Sequence, residues 1–232
     1  WQGKALDHDR AIRANAEATG LLMNHCRRAT GALIASTNSV YRPHEDPLHR
    51  YVETDPLGDA TAPHSPTYGV SKVSQEAVAR TMARVLDLPT TIARINASYG
   101  PNGGLPAYHG DWVAAGEPVW LREPGPNAYS PIHEDDMARQ VEALLEAASA
   151  PATIVNWCGD DVVTAEEWVA LYGAHLGVEP KLARYELPGG QPGSAGDPTR
   201  RLSLTGPCTV EWRDGMVATL NARVDSKDST GN

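Results

Sequence analysis

The sequence predicts an α/β fold in which helices flank a parallel sheet. Three short apolar runs have the length of buried strands: "ALIA" from residue 32, "PTTIARI" from residue 89 and "PATIVNWCG" from residue 151. Segments with apolar residues at helical spacing separate these runs along the chain. Strands joined by helical crossovers pair in parallel, whereas antiparallel neighbours need only a short turn. We therefore expect one parallel sheet covered by helices.

The first half of the chain predicts two helices, two strands and a long loop. Apolar residues at helical spacing, followed by Gly31, predict a helix over 7–29. The strand over 32–35 ends in the polar cluster "STNSVY". Residues 42–67 contain five prolines and predict a long surface loop, which in a compact domain is usually functional. A second helix is predicted over 71–88, directly before "PTTIARI".

The second half of the chain predicts a smaller α/β portion. Turn residues occupy 99–104, and a helix is predicted over about 135–147. Thr164 and Glu167 form a predicted capping box for the next helix, and Gly, Pro and Ser predict a loop over 188–197. We assign residues 1–100 to a sheet-containing domain, residues 101–224 mainly to a second portion that returns strands and helices to the sheet, and residues 225–232 to a disordered tail.

Composition and charge argue against several classes of function. The formal net charge is −9 and no basic run is present, which argues against nucleic-acid binding. The three cysteines lie far apart, so we expect no disulfide framework and a reducing, cytoplasmic location. The histidines have no ligand spacing, so no metal site is predicted. No apolar stretch has the length that a membrane span needs, so no membrane partner is expected.

Tyr68 and Lys72 are a candidate acid/base pair at the start of the 71–88 helix. At i and i+4 they share one face of the helix. An ammonium near a phenol favours the phenolate and lowers the tyrosine pKa, which suits a group that moves a proton on or off a hydroxyl. The same spacing also arises by chance on a solvated helix, so the pair alone does not decide the function.

Ser36 and Thr37 stand where the first predicted strand ends. Ligands of open α/β sheets bind beyond the carboxyl ends of the strands. These hydroxyls are therefore in the right kind of place to hydrogen-bond a substrate oxygen, although Ser and Thr could also merely terminate the strand.

Six short segments occur in a fixed order along the chain. They are "NAEATGLL" (15–22), "STNSVY" (36–41), "YGVSK" (68–72), "RINASYGP" (94–101), "YSPIHEDDMA" (129–138) and "NWCGDD" (156–161). In this order and spacing they resemble the extended short-chain dehydrogenase/reductase proteins, the NAD-dependent epimerase/dehydratase family. Each segment is weak alone, and the series as a whole carries the resemblance. It implies an incomplete Rossmann-like parallel sheet, with a smaller C-terminal α/β substrate-binding portion.

The resemblance implies an NAD(P)-dependent oxidoreductase or epimerase that transfers a hydride at a secondary alcohol or ketone. Tyr68 falls on the acid/base position, Lys72 on the lysine that lowers its pKa and holds the nicotinamide ribose, and Thr37 on the residue that orients the reacting oxygen. His133 and Asp136 match a further landmark, which we interpret as structural. The implied residues for the cofactor, NAD or NADP, are Asn15, Ser36, Tyr68, Lys72 and Asn96, and those for the substrate are Thr37, Asn38, Ala97 and Arg200.

The sequence departs from the family pattern on the cofactor side. No GxxGxxG turn occurs, although that turn brings the pyrophosphate to a helix N-terminus. Trp1 enters the pattern after the first part of the Rossmann sheet, so we expect that about 80 residues, roughly one mononucleotide-binding half, are absent. The residue that distinguishes NAD from NADP would lie in that half. A non-catalytic ligand-binding protein and an inactive fragment therefore stay open as alternatives.

Other departures concern the substrate and the assembly. Asn38 and Ser39 occupy the positions where 4,6-dehydratases of the family carry an acidic pair, which disfavours elimination of water. The arginine that nucleotide-sugar enzymes present shortly before the position of Asp197 is missing, and Arg200 or Arg201 could bind an anion instead. Family members usually dimerise through the helix that carries the Tyr/Lys pair, so the resemblance implies a homodimer.

Overall fold

The three predicted strands form one parallel sheet in the computed structural model, which describes residues 7–58, 67–191 and 193–230, with backbone alone for the last four. Strand β1 (Ala32–Thr37) pairs with β2 (Thr90–Ile95), and β2 pairs with β7 (Thr153–Trp157). The register places Thr37 beside Ile95, and Ile95 beside Trp157. The carboxyl ends of the three strands are therefore level, and the polar residues that follow β1 and β2 meet at one edge. The predicted α/β class is confirmed.

Helices cover both faces of this sheet because successive strand residues point to opposite sides. Ile92 packs with Met23 of the N-terminal helix and with Ala83 of the helix that follows residue 67, whereas its neighbour Ala93 packs with Leu144 on the other side. The N-terminal helix consists of α1 (His8–Ile12), one π-helical turn (Arg13–Glu17) and α2 (Ala18–His25). The opposite face is covered by α5 (Glu134–Glu146).

Helix α3 (Tyr68–Val85) begins three residues before the predicted start, so Tyr68 is its first residue and Lys72 lies one turn later. Residues 42–58 of the predicted loop contain no helix or longer strand, and residues 59–66 of that loop lie outside the described residues.

The remaining elements build a second layer beside the sheet. Strand β4 (Val119–Glu123) pairs with β9 (Leu182–Glu186), β3 (Ser98–Tyr99) with β6 (Ile132–His133), and β5 (Ala128–Tyr129) with β8 (Val163–Thr164). The accompanying helices are α4 (Leu105–Ala114), α6 (Ala165–Leu176), α7 (Thr199–Thr205) and α8 (Trp212–Thr230). They pack around Trp168, Tyr172 and Met216, which are fully buried. The predicted capping box is present at the start of α6.

One boundary is wrong. The predicted tail from residue 225 is helical as far as Thr230, because α8 continues through it. No Gly or Pro follows Gly215 within the helix, so nothing in its second half stops propagation. The division at residue 100 stays a prediction, although β7 and α5 do contribute to the first sheet. Among the described residues, no helix is both long and apolar enough to cross a membrane.

Candidate active site

A cavity of about 500 Å³ lies at the carboxyl ends of β1 and β2. Its near wall is formed by residues that follow these strands and by the start of α3, namely Thr37, Asn38, Tyr68, Asn96 and Ala97. Its far wall comes from α4, β4, β9 and the segment before β5, with His109, Trp120, Arg122, Asn127 and Tyr185 as members. The cavity thus lies between the sheet and the second layer, where ligands of open α/β sheets bind.

Thr37 and Tyr68 meet in the near wall, as the sequence predicts. Their side chains are hydrogen-bonded to each other. Burial raises the pKa of Tyr68 above its ordinary value, and the hydrogen bond from Thr37 offsets only part of this effect. The phenol is therefore protonated at neutral pH. The expected lowering of the Tyr68 pKa by Lys72 is absent, because the Lys72 ammonium is directed elsewhere.

Lys72 is 7% exposed, and its Nζ donates to the backbone carbonyl of Ala35 at 2.7 Å. Burial lowers the pKa of this lysine, and the carboxylate of Glu76, one turn further along α3, opposes the shift. The ammonium is thus tied to β1 immediately behind Thr37. The sequence analysis places Lys72 and Thr37 in one site, but it does not predict the hydrogen bond from Lys72 to the Ala35 carbonyl.

A buried ion pair supports the near wall from below. Arg94 on β2 is fully buried and donates through Nε and Nη2 to both carboxylate oxygens of Glu76, at 2.9 and 2.8 Å. Its Nη1 donates to the Tyr41 hydroxyl and to the carbonyl of Glu53. Burial alone would raise the pKa of Glu76, but Arg94 holds the pKa of this carboxyl below its usual range. The pair therefore connects α3 to the sheet under the active-site pair.

This ion pair also accounts for Ser36. Its hydroxyl donates to Glu76 at 2.6 Å, and the residue is buried outside the cavity lining. Ser36 thus completes the buried network, and its role toward a cofactor stays a prediction.

Asn15 and Asn96 are placed mainly by contacts within the protein. Asn15 lies in the π-helical turn, and its Nδ2 donates to Ser71 on α3 at 2.9 Å. Asn96 lines the cavity, but its Oδ1 accepts from the backbone N–H groups of Ala97 and Ser130 and its Nδ2 donates to the Ser194 carbonyl. Both side chains thus fix neighbouring segments, and their roles toward a cofactor stay predictions.

The expected substrate residues are only partly brought together. Asn38 and Ala97 line the cavity with Thr37, and the buried Oδ1 of Asn38 has no hydrogen-bond partner among the described residues. Arg200 is exposed on α7 and does not line the cavity, so the structure does not bring it together with the other expected substrate residues. Arg201 is fully buried and bonds to Asp160 and to the carbonyls of Cys158 and Gly206.

The predicted structural interpretation of Asp136 agrees with its contacts. Its carboxylate accepts from the backbone N–H groups of Thr209 and Val210, at 2.8 and 3.0 Å. Burial raises the pKa of this carboxyl, but these donors and Arg139 together keep the pKa below its ordinary value. Within the described part of the chain, no cluster of His, Cys, Asp and Glu could hold a metal ion.

His109 in the far wall was missed by the sequence analysis. The Trp168 Nε1–H donates to its Nδ1 at 3.1 Å, so the imidazole carries its proton on Nε2. Burial lowers the pKa of His109 to about 4, and the imidazole is therefore neutral at physiological pH. Nothing local marks this residue, because a lone histidine in a helix has no characteristic spacing.

Comparison of the sequence with family models identifies its family. The NAD dependent epimerase/dehydratase family matches residues 1–158. The chain belongs to this family. No curated protein matches the sequence.

Three solved structures have the same fold. The UDP-glucuronic acid 4-epimerase from Bacillus cereus, solved with UDP-glucuronic acid and NAD, is 20% identical, with a TM-score of 0.77 over 93% of this chain and 68% of that protein. MoeE5, also solved with UDP-glucuronic acid and NAD, is 24% identical, with a TM-score of 0.75 over 93% and 72%. DesIV from Streptomyces venezuelae, a dTDP-glucose 4,6-dehydratase solved with NAD bound, is 22% identical, with a TM-score of 0.77 over 99% and 73%. At these identities the similarity establishes the Rossmann-like fold.

Proposed function

We propose that the protein is an NAD(P)-dependent oxidoreductase or epimerase that transfers a hydride at a secondary alcohol or ketone. One observation carries the proposal: the hydrogen-bonded Thr37–Tyr68 pair, with Lys72 one turn later, forms the wall of a cavity at the carboxyl ends of the strands. A sensor would need no acid/base group at this position. Membership of the NAD-dependent epimerase/dehydratase family supports the same reaction class.

In this proposal Tyr68 moves the proton and the cofactor supplies or accepts the hydride. The protonated Tyr68 phenol donates to the oxygen of a carbonyl that is being reduced, while the Thr37 hydroxyl orients that oxygen. In the oxidative direction the phenolate is required, so the rate rises with pH. Because burial raises the pKa of the Tyr68 phenol in the free protein, we expect the rate of oxidation to rise at a pH above the ordinary tyrosine pKa.

The residues present fit the ribose and nicotinamide end of a dinucleotide. The Lys72 ammonium has three N–H donors and uses one for the Ala35 carbonyl among the described residues, which leaves donors for ribose hydroxyls. The three compared structures contain NAD, so NAD is the expected cofactor, with NADP as the alternative.

A sugar nucleotide is the expected substrate class, because two of the compared proteins were solved with UDP-glucuronic acid. Elimination of water is disfavoured, since Asn38 and Ser39 line the cavity and neither is ionisable. None of the described lining residues carries a carboxylate that could replace the acidic pair. Epimerisation or simple oxidation therefore ranks above dehydration.

A homodimer is part of the proposal. Leu21 and Leu22 on α2 and Val70 and Val85 on α3 are large apolar side chains that are exposed in the single chain. Their burial in a four-helix contact would remove this apolar surface from water. Sedimentation analysis of the wild type and of Val85→Lys checks the assembly, with loss of the dimer expected for the variant.

Nucleotide binding and a tyrosine substitution test the function. We expect NAD or NADP to raise the unfolding temperature, and UDP-glucuronic acid, UDP-glucose or dTDP-glucose to be oxidised or epimerised, measured by absorbance of the reduced cofactor and by chromatography. Tyr68→Phe lowers turnover by about 10²–10⁴-fold without loss of folding. The exposed Tyr108, which is absent from the cavity lining, provides the control Tyr108→Phe. Unchanged turnover in Tyr68→Phe would remove Tyr68 from its role, and nucleotide binding without any turnover would indicate a binding protein.

A further inference from the structure

We propose that Arg122, in the far wall of the cavity, is an anion-binding residue that recognises a carboxylate or phosphate group of the substrate. The inference depends on the proposed function only in calling the bound molecule a substrate. It names a specificity-determining residue that no motif in the sequence singles out.

The Arg122 side chain is buried without a protein partner. The residue is 9% exposed, and its Nη1 is closed to solvent without a hydrogen bond. Its guanidinium makes no ion pair or hydrogen bond with any other residue of the described ranges. Arginine cannot lose its proton in a protein, so an unpaired buried guanidinium is strongly unfavourable. Because Nη1 itself is closed off, an anion in the cavity that Arg122 lines would supply an acceptor to the other N–H groups of the guanidinium.

The backbone holds Arg122 firmly in this position. Its N–H donates to the Asn127 Oδ1 at 2.9 Å, and its carbonyl accepts from the Asn127 Nδ2 at 2.9 Å. Asn127 is itself buried, and Arg122 stands in register with Tyr185 in the β4–β9 ladder. The unpaired state therefore does not result from a loosely held segment.

A second arginine on the β4–β9 pair of strands does have an acidic partner. Arg184 on β9 pairs with Glu166 at 3.0 Å, although its side chain is 35% exposed. The other contacts of the Glu166 carboxylate go to the N–H and Nδ2 groups of Asn127. The more exposed arginine thus has the carboxylate, and the more buried Arg122 faces the cavity without one.

The charge of the cavity favours an anion. Arg122 is the only Lys or Arg among the described lining residues, and none of them is Asp or Glu. Without an acid in the lining the positive charge of Arg122 is not balanced there, and His109, which is neutral at physiological pH, adds no second charge. A planar guanidinium matches the paired oxygens of a carboxylate or phosphate group.

Thermal unfolding with simple anions tests the proposal on the whole chain. The probes are sodium pyrophosphate and sodium glucuronate, each compared with sodium chloride at equal ionic strength, and methyl glucoside is the uncharged control. The variants are Arg122→Met, which keeps the aliphatic stem without the charge, and Arg184→Met as the matched control. Calorimetric titration gives the affinities.

In chloride buffer we expect Arg122→Met to unfold at the same or a higher temperature than the wild type, because a costly buried charge has been removed. Arg184→Met unfolds at the same or a slightly lower temperature, because it removes the partly exposed ion pair with Glu166, which keeps its hydrogen bonds from Asn127. Pyrophosphate or glucuronate stabilises the wild type and Arg184→Met, and its affinity for Arg122→Met is about tenfold or more weaker. The anion with the larger effect on the wild type identifies the phosphate or carboxylate source.

Three results would overturn the proposal: a lower unfolding temperature of Arg122→Met in chloride, equal stabilisation of that variant by the anions, or no stabilisation of the wild type beyond chloride. None of these measurements uses nicotinamide nucleotides or turnover. Failure of NAD binding with the expected anion results would therefore sink the proposed function alone, and NAD binding without an anion effect would sink only the Arg122 subsite.

Discussion

Arg94 and Arg122 are both buried arginines next to the same cavity, but their surroundings differ. Arg94, below the near wall, donates to Glu76, Tyr41 and the Glu53 carbonyl. Arg122, in the far wall, has no acceptor for its guanidinium among the residues the structure describes. A charge taken out of water must find a compensating group. For Arg94 the compensating group is Glu76, within the protein. For Arg122 we expect a bound anion to be the compensating group.

The comparison separates two tasks of buried charge. The Arg94–Glu76 pair connects β2 to α3 and thereby fixes the helix that carries Tyr68 and Lys72. Its partners are all inside the protein, so its contribution is to positioning and stability. Arg122 contributes nothing comparable to stability in the absence of an anion, and its contribution is to recognition.

The largest expected loss of stability is for removal of Arg94, the arginine that has partners within the protein. Arg94→Leu leaves the Glu76 carboxylate buried with only Ser36 and Arg80 as partners. We expect the free energy of unfolding to fall by about 3–5 kcal/mol, because one member of a buried pair has been removed. Urea denaturation followed by circular dichroism measures it. A loss as small as that in Arg122→Met would erase the distinction between the two arginines.

The next effect concerns the neutral His109 of the far wall. Burial holds its pKa at about 4, against an ordinary 6.5. Between these values the unfolded chain binds a proton and the native state does not, so stability is fully present above about pH 6.5 and falls toward pH 4, by at most about 3 kcal/mol. His109→Gln removes this slope while keeping an acceptor for Trp168. Denaturation at several pH values measures the difference, and parallel profiles would contradict a neutral buried imidazole.

A third prediction concerns the side chain that holds Arg122. Asn127→Ala removes both hydrogen bonds to the Arg122 backbone and leaves buried groups unsatisfied. We expect a loss of about 1–3 kcal/mol in the free energy of unfolding. The exposed Asn102 bonds only to the Glu134 side chain among described residues, so Asn102→Ala is the control and should lie within about 0.5 kcal/mol of the wild type. Similar losses in both variants would mean that the Asn127 contacts add nothing.

The smallest expected loss of stability is for removal of Arg80, whose ion pair with Glu76 is more exposed than that of Arg94. Arg80 also contacts Glu76, at 3.2 Å, but its side chain is 44% exposed. Arg80→Gln is expected to cost less than about 1 kcal/mol, since solvent screens exposed pairs. The same urea denaturation applies. A cost equal to that of Arg94→Leu would show that the network depends on both arginines alike.

Local patterns in the sequence were sufficient for much of the fold and for part of the site. Short apolar runs at 32–35, 89–95 and 151–159 predicted the strands that the structure has at 32–37, 90–95 and 153–157, and spacing predicted the Thr164–Glu167 capping box. Thr37 and Tyr68 were predicted to act together and are hydrogen-bonded. The tail was mispredicted because its polar composition concealed a helix that continues from Trp212.

Contacts between distant segments could not be predicted in this way. Ser36 was expected to face a cofactor, but it completes a buried network with Glu76, forty positions later in the chain. Arg200 was expected to be able to bind an anion, yet it is exposed on α7, and nothing in the sequence indicated Arg122. The partner of a side chain depends on which segments pack together, and spacing along the chain does not report it.

The sequence by itself determined the α/β class, the family and the identity of the Thr37, Tyr68 and Lys72 candidates. These features depend on the period of apolar residues and on short motifs, which are local properties. Only the tertiary structure decided that the Lys72 ammonium binds the Ala35 carbonyl, that Arg94 is paired and that Arg122 is not. The cost of a buried charge depends on its surroundings in three dimensions, so two arginines that look alike in the sequence acquire opposite roles in the fold.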